Sequence, residues 1–317
     1  MKHIVKRAAF MVAALSMAGP ALAADVVIGY PNWPSAQATA QILKTVMEDK
    51  LGLKVEVQNG TNPVIFEAMA AGSMQVHPEV WLPNQSNLSD KYVTKDGTVR
   101  MNPNGVASSQ AICVTKDTAE RTGIVNLTDL TNPEMAKKFS SDGSGKGDMW
   151  IGVQGWGSTN VEKIRAKAYG YAETMNLKEL DETVALAEVD NAVTQKKNIV
   201  FFCYTPHYMF AVHDLVILKE APHDAAKWHV IQPTDDANWL EKSTVGGAWD
   251  TAYLHVDYAT ALEKSQPAAA AFLSKVKLDT SLVSAFTKAI AIDKQDPAEF
   301  AKKWVAGNAA LVDSWLK

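Results

Sequence analysis

The chain has 317 residues and a formal net charge of −4 at pH 7. A mildly acidic surface argues against nucleic acid or an anionic membrane as partner. Beyond the first 23 residues no segment is apolar enough to span a membrane, which takes about 20 residues.

In chain order, the start reads as an export signal. Lys2, Lys6 and Arg7 form a positive opening, residues 8–18 are a short apolar run, and Ala21-Leu22-Ala23 supplies the small residues of a cleavage site. No cysteine follows the expected cut, so a lipid anchor is not expected. Residues 1–23 are therefore expected to be a signal peptide, with the bacterial periplasm as destination. The remaining 294 residues carry a net charge of −7 and suit one large or two medium domains.

Residues 25–30 are apolar and β-branched. Ser35 can cap a helix to about Lys50, with Ile42, Leu43, Val46 and Met47 on one face. A strand pattern at 54–58 follows. Asn62-Pro63 opens a helix ended by Gly72, and residues 74–80 alternate like a strand. This β-α-β-α-β order predicts a largely parallel sheet covered by helices. A second set follows, with strands at 106–115, 150–153, 199–204, 215–218 and 251–256, and helical patterns from Asp117, from Pro133, at 160–171 and at 190–197. Residues 265–317 are helical in pattern. Two α/β units with no linker predict two lobes with a ligand cleft between them.

Cys113 and Cys203 both lie in strand-like apolar runs. An oxidising compartment permits a disulfide, but the apolar runs favour two buried thiols. The Asp142, Ser144, Lys146, Asp148 spacing lacks the twelfth-position Glu of a calcium loop, where Val153 stands. No metal and no cofactor is expected. There is no zinc-protease motif, nucleophile elbow, phosphate loop or dinucleotide fingerprint. An exported enzyme acting on methylated amines would need an acid/base pair, for which only Glu79 and His207 are candidates. The expectation is a binding protein.

Four aromatic residues stand at the ends of predicted strands: Trp33 after the first, Trp81 after the third, Trp156 between two glycines after the 150–153 strand, and Tyr204 closing the 199–204 strand. Ligands of open parallel sheets bind beyond the carboxyl ends of strands. Trp150, Trp228, Trp239, Trp304 and Trp315 lack this placement and read as structural, whereas Trp249 stays undecided. Ring faces attract a cation that has no N–H group, at about 2 kcal/mol or more each when desolvated. Three rings fall short of the roughly 8.2 kcal/mol that micromolar binding needs, so a second anchor is required. The segment from Gly155 to Asn160 runs into a helix with Ser158, Thr159 or Asn160 as cap. Free N–H groups there, around Gly157 and Ser158, would hold a carboxylate. His207 would add a donor, and Glu79 would stabilise the cation.

Trp81-Leu82-Pro83, Gly155-Trp156-Gly157 and the segment from Tyr204 to Phe210 resemble the substrate-binding proteins of glycine betaine/proline-betaine ABC importers, over essentially the whole chain after the signal. The resemblance implies a two-lobed Venus-flytrap α/β protein, each lobe a sheet flanked by helices. It implies lobes at 24–115 plus 241–317 and at 116–240. It also implies an aromatic box of Trp81, Trp156 and Tyr204, with Trp33 near the ligand. The carboxylate would be held by His207 and by backbone N–H groups after Trp156. Tyr204 and Tyr208 stand where many relatives have Trp. That leaves room for choline, carnitine, proline betaine, trimethylamine N-oxide or dimethylsulfoniopropionate in place of glycine betaine. The implied partners are a permease and its ATPase, with the chain working as a monomer.

Overall fold

The computed structural model describes residues 24–317, so the expected signal peptide lies outside the described residues. Ten strands form one hydrogen-bonded sheet: β1 Val26–Tyr30, β2 Val55–Asn59, β3 Val76–Leu82, β4 Val99–Met101, β5 Val106–Thr115, β6 Gly147–Gly152, β7 Met175–Glu179, β8 Val200–Thr205, β9 Leu215–Ile217 and β10 Ala252–Ala259. Their order is β2-β1-β3-β10-β5-β8-β6-β7, with β4 beside β10 and β9 beside β5.

The expected parallel pairings are present: β1 runs parallel to β2 and β3, and β6 runs parallel to β7 and β8. The sheet is nevertheless mixed, because β10 and β5 enter antiparallel and join the two parallel groups. β5 is shared. Its first residues pair with β10, and Ser109 to Val114 pair with β8. A central strand is apolar whichever way its neighbours run, so sequence pattern alone does not separate the two cases.

The helices of seven or more residues are α1 Pro34–Leu51, α2 Asn62–Ala71, α3 Lys116–Thr122, α4 Gly157–Tyr169, α5 Glu182–Gln195, α6 Pro267–Lys275, α7 Thr280–Ala291, α8 Pro297–Gly307 and α9 Ala309–Trp315. Proline opens α1 and supplies a first-turn position of α2, where its missing N–H has no intrahelical bond to make. Sequence placed one apolar face on α1. In the fold it is buried on most sides, because α7 and α8 cover what the sheet does not. α5 starts at Glu182, capped by Asp181, eight residues before the expected helix at 190.

The two cysteines are not thiols. Antiparallel register sets Ala111 opposite Cys203 and Cys113 opposite Phe201. The cysteine Cα atoms come within 5.8 Å, and a disulfide joins β5 to β8. Their separation of 90 residues hid this, since only the β5–β8 pairing brings them together.

Candidate functional site: an aromatic cavity

Trp33, Trp81, Trp156 and Tyr204 lie at the carboxyl ends of β1, β3, β6 and β8, and they converge on one cavity. The rings meet edge to face. Trp33 and Trp156 are 6.1 Å apart between centroids, Trp156 and Tyr204 are 6.2 Å, and Trp81 and Tyr204 are 5.4 Å, each pair tilted by more than 80°. Phe202 adds a fifth ring. The other lining residues are neutral: Asn62, Asn84, Gln85, Gln110, Gly157 and Ser158. Among the described residues no Asp, Glu, His, Lys or Arg lines it. The empty space is about 370 Å³, counting its open mouth. Electron-rich faces around an uncharged space suit a cation that donates no hydrogen bonds.

Trp33, Trp156 and Tyr204 are fixed from behind. Trp33 Nε1 donates to Glu79 Oε2 at 2.7 Å. Ser35 Oγ donates to the same oxygen at 2.9 Å, and Thr39 Oγ1 to Oε1 at 3.1 Å. Burial pushes Glu79 up to about 7, against the pull of these donors. Glu79 does not line the cavity and reaches its wall through Trp33. Trp150 packs against Trp156 at 6.1 Å and donates to Leu180 O, the structural role expected of it. Trp249 is buried, with Nε1 donating to Glu162 at 2.6 Å, away from the cavity.

The Tyr204 hydroxyl donates to Glu182 Oε1, so the cavity meets the ring and not the phenol oxygen. Burial and Glu182 push this phenol well above its ordinary range. His207 departs from expectation. Its Nδ1 accepts from Met209 N–H at 3.2 Å, its Nε2 lies 3.4 Å from Glu182 Oε1, and it does not line the cavity. Sequence reasoning did not reach Glu182, because its approach depends on how α5 packs under β8.

The polar end of the cavity is built by α4. Gly155 takes φ +90°, a left-handed turn open to glycine, and swings the chain back so that Trp156 becomes the helix N-cap. The expected caps do other work: Thr159 Oγ1 donates to Val153 O, and Asn160 Nδ2 to Gln232 Oε1. No side chain caps α4. The N–H groups of Gly157 and Ser158 have no partner among the described residues, and both residues line the cavity. A helix start with free N–H groups can hold an anionic group.

The amides of Asn84 and Gln110 bond each other reciprocally at 2.7 and 2.8 Å, whereas the buried Gln85 Oε1 has no partner among the described residues. The sequence reading missed Asn62, Asn84, Gln85, Gln110 and Phe202. The available signals were a polar residue in mid-strand (Gln110) and two amides in the turn after Trp81. Hydrogen bonds join the turn after β3 to residues 232–235 across the cavity's mouth. Gln232 Nε2 donates to Asn84 O at 3.4 Å, Asn87 Nδ2 to Asp235 at 2.9 Å, and a second, outer cavity of about 520 Å³ lies beyond Asn84 and Gly157.

This geometry is that of a two-lobed solute-binding protein. The fold matches lactococcal OpuAC solved closed around glycine betaine, with a TM-score of 0.70, 22 % identity, and coverage of 92 % of this chain and 99 % of that one. An ABC-transporter choline-binding protein in complex with choline matches with a TM-score of 0.70 at 18 % identity, covering 92 % and 91 %. Residues 24–307 match the substrate-binding domain of the ABC-type glycine betaine transport system, and the chain belongs to that family. Among sequence relatives, the trimethylamine N-oxide-binding protein of Pelagibacter ubique is 27 % identical over the whole of both chains. The glycine betaine-binding periplasmic protein of Dickeya dadantii is 25 % identical, covering 84 % of this chain and 82 % of that one. The family consists of transporter components that bind small solutes and work with a permease and ATPase. Among the described residues no helix is long and apolar enough to cross a membrane.

Proposed function

We propose that this chain captures a small methylated onium zwitterion of the glycine betaine type in the aromatic cavity and hands it to an importer's permease and ATPase, without chemical turnover. One observation carries the reading: Trp33, Trp81, Trp156 and Tyr204 wall an uncharged cavity that ends on the unpartnered N–H groups of Gly157 and Ser158. Each desolvated ring contributes about 2 kcal/mol or more toward a quaternary ammonium. The helix start supplies the remainder by donating its free N–H groups to an anionic oxygen.

A second reading, an amine oxide such as trimethylamine N-oxide, is favoured by the position of His207. With Nε2 facing Glu182, that side chain leaves a carboxylate only neutral donors. A carboxylate offers two oxygens and about four acceptor sites, whereas an oxide presents one compact oxygen next to the methyl groups. The Pelagibacter relative, matched over its whole length, supports this reading too. We further propose periplasmic residence, a monomeric working state, and lobes that divide within β5 near Ser108 and again between Gly246 and Thr251. That first boundary stands about seven residues earlier than the sequence suggested.

Titration of intrinsic fluorescence and calorimetry test the reading with glycine betaine, trimethylamine N-oxide, choline, dimethylsulfoniopropionate and ordinary amino acids. At least one onium compound is expected to saturate at micromolar concentration, and no ordinary amino acid. Trp81→Ala and Trp156→Ala should each weaken that binding roughly thirtyfold or more. Silence toward every onium compound sinks the reading. The order of betaine and amine oxide affinities decides between its two forms.

A further inference from the structure

A buried histidine sets the orientation of one polar group on the cavity wall. Asn62 is the first residue of α2, is buried, and lines both the ring-walled cavity and the outer one. Its side-chain partner is His77 on β3, which is fully buried, with Nε2 3.0 Å from Asn62 Oδ1. The other ring nitrogen, Nδ1, faces the backbone N–H of Glu79 at 3.3 Å. A backbone N–H only donates, so Nδ1 holds a lone pair and no proton. The neutral ring then carries its proton on Nε2. Burial keeps the ring neutral by pushing its pKa down to about 3. Because Nε2–H donates, the amide atom facing it must be the acceptor oxygen. The flipped amide would set two N–H groups against each other. Asn62 Nδ2 is thereby left as the free end of the amide, with no partner among the described residues.

We infer that Asn62 presents its amide N–H₂ to the oxygen of the ligand, is held that way by His77, and so selects onium compounds bearing an anionic oxygen over plain cations. This rests on the proposed onium site. A cation with no acceptor meets the positive end of the amide dipole, whereas a carboxylate or oxide accepts from it. Asn62 thus joins the N–H groups of Gly157 and Ser158 in a wall of fixed donors, and His77 is its positioning residue.

Two variants and one spectrum test this. Asn62→Asp is nearly isosteric; it keeps an acceptor toward His77 and replaces the donor with a second oxygen. Asn62→Ala removes the donor and adds no charge. For whichever of glycine betaine and trimethylamine N-oxide the wild type binds, both variants should weaken binding roughly tenfold or more, Asn62→Asp the more severely. Asn62→Asp should bind choline at least as tightly as wild type. Zwitterion binding by Asn62→Ala within twofold of wild type overturns the inference, and so does an equal loss of zwitterion and choline. Long-range proton–nitrogen correlation of the ligand-free wild type reads the His77 tautomer without any variant having to fold. The Nε2–H form is expected, and an Nδ1–H form or an imidazolium at neutral pH overturns the inference. If wild type binds no onium compound, the proposed function falls, while the tautomer still decides the orientation of Asn62.

Discussion

Glu79 accepts from Trp33, Ser35 and Thr39 and has no cationic partner among the described residues. Burial outweighs those donors and raises it from an ordinary 4.5 to about 7. Between those values the folded chain holds this proton better than the unfolded chain. Its contribution to stability is therefore present below about pH 4.5 and is lost as pH rises through about 7, on the order of 3 kcal/mol in all. Glu79→Gln cannot ionise and should remove that slope. Urea unfolding at pH 5 and pH 8 checks this: the stability of the variant relative to wild type should rise by up to about 3 kcal/mol between the two. A difference that does not move with pH would refute the assignment. His77 titrates on the acid side, since its folded pKa lies below its ordinary 6.5. It is common to both proteins and cancels in the comparison. The glutamine amide also sets N–H₂ against one of the hydroxyls that donate to Glu79, so Trp33 is held less firmly and onium affinity should fall several-fold.

At the scale of elements, the first turn of α4 faces the turn that follows β3. A Cβ on Gly157 would lie 2.8 Å from Asn84 O, a backbone atom that cannot swing aside. Gly157→Ala should therefore hold the two walls apart while leaving the helix intact, because alanine is the better helix former. The expected result is an unchanged or higher thermal midpoint with onium affinity reduced roughly tenfold. Affinity within twofold of wild type would mean that the close approach is not required. Much of this element was legible beforehand. Trp33, Trp81, Trp156 and Tyr204 stood out because a tryptophan or tyrosine at a strand end is placed for a ligand as much as for a core. The donors did not stand out. Asn62, Asn84, Gln85 and Gln110 carry no charge and no periodicity, and they converge only through the β3–β10–β5 pairing, the start of α2 and the turn after Trp81. The surroundings of His207 were hidden for the same reason. Its neighbour Glu182 lies 25 residues earlier, and only the packing of α5 sets the two 3.4 Å apart.

At the scale of the whole molecule, the alternation of strands and helices gave away the two parallel groups, but not the antiparallel β5 and β10 that join them. The chain returns from the second group to β10 through residues 244–251, and α4 grips that segment. Arg165 is fully buried on α4. Its Nε lies 3.0 Å from Glu162, its Nη2 2.7 Å from Glu220, and its Nη1 donates to Gly247 O at 2.9 Å. Trp249 closes the loop by donating to Glu162, and Tyr169 by donating to Glu220 at 2.8 Å. The helix whose first turn lines the cavity is thus pinned, two turns later, to the returning strand. Two buried carboxylates share one guanidinium, and burial already raises Glu162. Removing the cation leaves both carboxylates unpaired, so Arg165→Met should destabilise the fold by about 3–5 kcal/mol. Glu162→Gln should stay within about 1 kcal/mol of wild type, because it removes surplus negative charge and keeps an acceptor for Trp249. Urea unfolding at neutral pH separates the two. Equal losses would mean that the site responds to any change in packing. A large loss confined to Arg165→Met would identify the guanidinium as the pin between the cavity-lining helix and the crossing segment.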